Sequence, residues 1–103
     1  MDRIEKLKEM LDASPEDSFL QHALALEYIK AGDDHTARTL FETVLHRDPD
    51  YIGSYYHLAK LLVQTGDIPS AIEWFNRGMA AAKRTGDQHA YNELQVAYED
   101  LIF

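Results

Sequence analysis

The sequence predicts an all-α fold built from stacked helical hairpins, and two observations carry that reading. A glycine–aspartate pair recurs 34 residues apart, as Gly32-Asp33 and then Gly66-Asp67. Its surroundings recur with it: Leu24-Ala25 returns as Leu58-Ala59, Ala37 as Ala71 and Phe41 as Phe75. A fixed period of this length marks helix–turn–helix units, each burying its apolar side only against its neighbours. Apolar residues also fall at helical intervals along the chain, and no alternating run bounded by turn residues reads as a strand. Such an architecture suits a binding scaffold better than a catalyst.

Six helices are expected. Ile4, Leu7, Met10 and Leu11 give a short amphipathic helix, interrupted by Lys8 and ending at Ser14-Pro15. Proline suits the first turn of a following helix, with the serine before it as cap, so the second helix is expected from about Pro15 to Ala31. Leu20, Leu24, Tyr28 and Ile29 form its main apolar stripe. Gly32 stops it, and Asp33 or Asp34 caps the third helix, which runs to about Arg47. After Asp48-Pro49-Asp50 the fourth helix covers roughly Tyr51 to Thr65. The fifth follows Gly66-Asp67, tolerates Pro69 in its first turn and continues to about Arg84. Its Ala71, Ile72, Phe75, Met79 and Ala82 are expected to face inward. Thr85-Gly86-Asp87 is another stop and cap, before a last helix with Tyr91, Leu94, Ala97, Tyr98 and Leu101 on its apolar side.

Composition bounds the function. A chain of 103 residues suits one domain, and 46% hydrophobic residues supply a core without great depth. The absence of cysteine excludes disulfides, thiolate zinc sites and cysteine nucleophiles. A formal net charge of -8 disfavours nucleic acid. That charge is uneven: residues 1–51 carry 12 acids and 6 bases, residues 52–86 carry 2 and 4, and residues 87–103 carry 4 and none. Two readings fit, a solvated surface or a mildly cationic patch for an acidic peptide. No apolar run approaches the ~20 residues that cross a bilayer, and the N-terminus lacks a signal-peptide core. A cytoplasmic protein with no membrane partner is therefore expected. There is no phosphate loop, metalloprotease motif or nucleophile elbow, so no enzymatic activity and no cofactor is expected. His22 and His57 lack a third ligand for zinc, and no metal is expected.

The recurring residues resemble the tetratricopeptide repeat family. Counted from Ser18, the chain supplies Leu24-Ala25, Tyr28, Ala37, Phe41, Val44 and Pro49; counted from Ile52 it supplies Tyr55, Leu58-Ala59, Leu62, Ala71, Phe75 and Gly78. The resemblance implies a right-handed stack of antiparallel helical hairpins in one domain over 1–103. It divides the chain into a half repeat (3–15), two repeats (18–51 and 52–85) and a solvating cap helix (88–102), which suggests that the C-terminal end is natural. Three departures stand out. Gln21 replaces a large residue, Gly78 replaces an alanine at a cost of ~1 kcal/mol in helix propensity, and Lys83 replaces a proline, letting the fifth helix run longer. Trp74 and Leu40 share a repeat position expected on the outer side, either exposed as a contact or partly buried.

In this family the first helices of successive hairpins line a concave groove. The resemblance assigns to it Phe19, His22, Ala23, Leu26, Ile29 and Lys30, then Gly53, Tyr56, His57, Lys60, Val63 and Gln64. Of these, Phe19, His22, Tyr56, His57, Lys60 and Gln64 are the candidates to bind a peptide or protein segment, centred on Tyr56, His57 and Lys60 with Phe19 and His22; tyrosine offers contact area and lysine a point charge. Phe19, Leu26, Ile29 and Val63 also read as packing residues, and His22 and His57 as solvated ones. The carboxylate clamp of chaperone-binding members is absent, because His22, Leu26 and His57 stand where lysine and asparagine are required. A second reading is assembly through the terminal helices, with Ile4, Leu7 and Leu11 packing on another copy to form a weak homodimer.

Overall fold

The computed structural model describes residues 2–103 as six α-helices. They are α1 (Arg3–Ala13), α2 (Ser18–Lys30), α3 (Asp34–Arg47), α4 (Gly53–Gln64), α5 (Ile68–Thr85) and α6 (Gln88–Ile102). Among the described residues there is no strand. The chain divides into two compact units, Met1–Asp48 holding α1 to α3 and Pro49–Phe103 holding α4 to α6. In the first, α2 packs on α1 and α3; in the second, α5 packs on α4 and α6.

Five of the chain's 18 acidic residues start helices. Asp2, Asp17, Asp33, Asp67 and Asp87 each accept a hydrogen bond from the backbone N–H three residues on, at 2.8–3.3 Å. A carboxylate here satisfies a donor that has no partner within the helix and meets the positive end of its dipole. Only α4 starts without a side-chain cap, at Ile52. Thr36 adds its hydroxyl to Asp33 at 2.8 Å, and these two bonds hold the Asp33 carboxyl below the usual carboxylate range.

The recurring glycine–aspartate pair has a backbone explanation. Gly32 and Gly66 have φ of 83° and 88°, a left-handed conformation that side-chain-bearing residues rarely adopt. That turn lets the Asp33 N–H reach Tyr28 O and the Asp67 N–H reach Leu62 O, both at 2.9 Å. The aspartate then caps the next helix, so one dipeptide closes each hairpin.

Two boundaries differ from expectation. The second helix starts at Ser18, not near Pro15, because Asp17 rather than Ser14 is the cap. Ser14 instead ends α1, donating its N–H to Met10 O and Leu11 O at 3.1 Å. Pro15 lies in the intervening turn. α4 likewise starts at Gly53 rather than Tyr51.

The repeated apolar residues form the cores. Leu24, Ala25, Ala37 and Phe41 are buried in the first unit, and their equivalents Leu58, Ala59, Ala71 and Phe75 in the second. Burying each of the larger side chains contributes about 1.5–3 kcal/mol. Of the other inward expectations on α5, Ala82 is buried while Ile72 and Met79 are half-buried. Of the two surroundings open to Trp74, exposed or partly buried, it takes the buried one, 6% exposed, beside Tyr55 at a 6.1 Å ring separation and beneath the Arg77 guanidinium at 4.9 Å.

The departures from the repeat pattern turn out to be structural devices. Gln21 is buried and bonded at both amide atoms: its nitrogen donates to Pro15 O at 3.0 Å, and its oxygen accepts from Arg47 Nη2 at 2.7 Å. Its repeat equivalent, Tyr55, donates its hydroxyl to Pro49 O, the matching carbonyl. Gly78 is buried where α5 packs closely on its neighbours. A Cβ there would lie 2.7 Å from Tyr55 Cβ and 3.0 Å from Leu94 Cδ1. The glycine first read as a weak point is therefore what permits the packing. Lys83 lets α5 extend to Thr85, with Gly86 as its left-handed cap.

Candidate ligand-binding cleft

α4 carries Tyr56 and Lys60 one turn apart, so both project from the same helix face. Facing them, α6 presents His89, Asn92, Glu93, Val96, Ala97 and Asp100, whose spacing of three and four also defines a single face. Together these residues line an open cleft of about 350 Å³ within the second unit. The opposite side of α6 is spent on the core through Leu94, and Phe75 meets Tyr98 edge-on at 6.4 Å.

The cleft is mixed in chemistry. Val96 is 61% exposed, Tyr56 contributes a half-buried ring, and Lys60 is exposed. The acidic side chains are loosely held. Glu93 meets His89 at 3.9 Å, with both well exposed, a contact worth little in water.

The six candidates from sequence fall in different surroundings. Tyr56 and Lys60 line the cleft. His57 stands beside it, its ring edge-on to Tyr56 at 5.9 Å. Although the residue as a whole is exposed, partial burial of its imidazole lowers its pKa below the ordinary histidine value, with Glu93 opposing the shift. Gln64 is exposed at the last position of α4 and does not line the cleft. His22 is half-buried with its ring against Phe41 at 5.6 Å. Phe19 is 66% exposed and does not serve as packing. It lies instead on a separate hollow of about 210 Å³ between α1 and α2, with Met10, Leu7, Leu20, Ala23, Arg3 and Lys6.

The cleft wall on α6 was not anticipated. The signal was present: His89, Asn92, Glu93 and Asp100 interrupt the apolar pattern at helical spacing. Apart from Lys60, the bases of residues 52–86, read either as part of a solvated surface or as a cationic patch, meet separate partners. Arg77 pairs with Glu73, Arg84 pairs with Asp50, and Lys83 lies over the Tyr91 ring at 5.3 Å. Among the described residues no group of three or more His, Cys, Asp or Glu side chains gathers to hold a metal ion. No helix among them is long and apolar enough to cross a membrane.

A model described as tetratricopeptide repeat matches residues 28–95. A TPR repeat-containing protein of Pseudomonas aeruginosa is 30% identical over 93 residues, covering 90% of this chain and 89% of that protein. The solution structure of a tetratricopeptide repeat domain protein from Salinibacter ruber is 39% identical, with a TM-score of 0.82, over 85% of this chain and 89% of its own. A Bordetella parapertussis protein, also solved in solution, is 30% identical with a TM-score of 0.84, over 98% and 88% of the two chains.

Proposed function

The chain belongs to the tetratricopeptide repeat family, and from that premise we propose that it is a non-catalytic cytoplasmic module holding a peptide or protein segment in the cleft between α4 and α6. The family's fold is in general one of protein–protein interaction. The observation that carries the proposal is the pairing of Tyr56 and Lys60 with the mixed polar and apolar face of α6 around about 350 Å³ of open space. Tyrosine supplies broad contact at low entropy cost, the exposed Val96 supplies apolar area, and the charges fix orientation. His57 adjoins this surface through Tyr56. The division into a half repeat, two repeats and a cap helix belongs to the same reading.

The test is selection of binders from a displayed peptide library, followed by the double variant Tyr56→Ala with Lys60→Ala. Capture of the selected peptides should be lost while the circular dichroism melt is unchanged. Undiminished capture by a folded double variant would refute the cleft as the site.

A second reading, assembly through the N-terminal helices, draws support from the exposed Met10 (47%) and Phe19 (66%) over the α1–α2 hollow. Leu7 is buried and serves the core, so a variant there would test folding instead. Light scattering across concentrations is the measurement. A dimer that Phe19→Glu splits would support assembly; a monomer at every concentration would exclude it.

A further inference from the structure

Resting on the peptide-binding reading above, we infer that the α4–α6 cleft selects a segment of another protein that presents an isolated basic side chain beside an apolar one. The charge balance of its walls argues this first. The α6 wall carries Glu93 and Asp100, whereas the α4 wall carries Lys60 alone as a fixed charge. Among the described residues no lysine or arginine pairs with either carboxylate, and the His89 contact to Glu93 is charged only when the imidazole is protonated. The remaining cations of residues 52–86 sit on Glu73, Asp50 and the Tyr91 ring, so they do not neutralise this wall.

The apolar part of the recognition comes from the same stripe. Glu93, Val96 and Asp100 follow one another at spacings of three and four, which sets the 61% exposed valine between the two carboxylates. A ligand side chain packed on Val96 thus brings its neighbours within reach of a negative charge on either side. Across the cleft, Tyr56 offers an aromatic face over which a guanidinium or ammonium group gains further attraction. The net charge of -8 favours the approach of a positive segment from a distance.

Lys60 sets the upper limit on that charge. It repels a continuous basic tract and accepts an acidic neighbour, so the preferred segment is of mixed sign with one base against α6. This is the opposite of the acidic peptide suggested by summing charges along residues 52–86, because that sum mixes groups that point to different surroundings.

The experiment titrates the isotope-labelled full chain with three end-blocked nonapeptides, each with a central leucine flanked by arginine, glutamate or serine, and follows amide shifts by NMR. The arginine peptide should shift Tyr56, Val96 and Ala97 and bind about fivefold more tightly than the glutamate peptide. Asp100→Lys should weaken it about fivefold and Lys60→Glu should strengthen it by a similar factor. Responses of opposite sign distinguish charge selection from misfolding, which would weaken both. Preference for the glutamate peptide, or equal affinity for all three, would overturn the inference and leave the cleft as a binding site. Absence of shifts with every peptide would overturn both.

Discussion

Replacing Gly78 by alanine should destabilise this protein even though alanine is the better helix former. The residue lies inside α5, where propensity alone favours alanine by about 1 kcal/mol. Against this stands a new Cβ 2.7 Å from Tyr55 Cβ and 3.0 Å from Leu94 Cδ1, where carbon atoms prefer about 3.5–4 Å. Relief therefore demands a separation of roughly 1 Å between packed helices. The nearest obstacle is the root of a side chain, not its flexible end, and Tyr55 is further tied by its hydroxyl to Pro49 O. Overpacking of this kind costs about 1–3 kcal/mol, and a clash with Cβ belongs at the upper end. The net loss is about 2 kcal/mol, or roughly 10 °C in melting temperature for a domain of this size. Thermal and urea melts followed by circular dichroism measure it, with Ala80→Gly on the exposed side of α5 as a control for propensity. A Gly78→Ala protein as stable as the parent, or more so, would refute the close-packing argument.

Other outcomes follow from the same structure. Asp33→Ala should lower the urea midpoint at neutral pH by freeing the Thr36 N–H. Because the folded Asp33 carboxyl is held below its ordinary value, that contribution is present above the usual aspartate range and fades as pH falls through the folded pKa; the variant's deficit should shrink on acidification. Tyr55→Phe should cost about 1 kcal/mol by leaving Pro49 O without its donor, again seen in urea melts. His57 should titrate below the ordinary histidine value in an NMR pH series, and Glu93→Gln should lower it further by removing the opposing charge. Its depressed pKa means that the unfolded chain binds this proton first, so its contribution to stability declines as pH falls through the ordinary histidine range.

The sequence made the hairpins legible because their punctuation is local. Gly32-Asp33 and Gly66-Asp67 each specify a left-handed turn and a cap within two residues, and nothing distant alters that. The start of α2 was misjudged because Ser14 and Asp17 are both competent caps, and the structure uses Asp17. Gly78 illustrates a different limit. Propensity scales register its missing side chain, while the helices that need its absence lie elsewhere in the chain. For the site, Tyr56 and Lys60 could be identified from repeat position, but α6 was read only as a solvating cap. Its charged and polar residues serve solubility and line a cleft at once, and one-dimensional pattern does not separate the two.

Gln21 and Tyr55 bear on how such modules could be recombined. Each fastens the proline carbonyl six residues before it, the first with an amide and the second with a phenol. The amide has a second arm, occupied by Arg47, whereas the position one period after Arg47 is the buried Ala81. Grafting tyrosine alone onto position 21 would deprive the guanidinium of one acceptor; grafting it together with alanine at 47 would transfer the complete arrangement. Units of this architecture are portable as coupled pairs of letters, and a chimera assembled one letter at a time would inherit half a clasp.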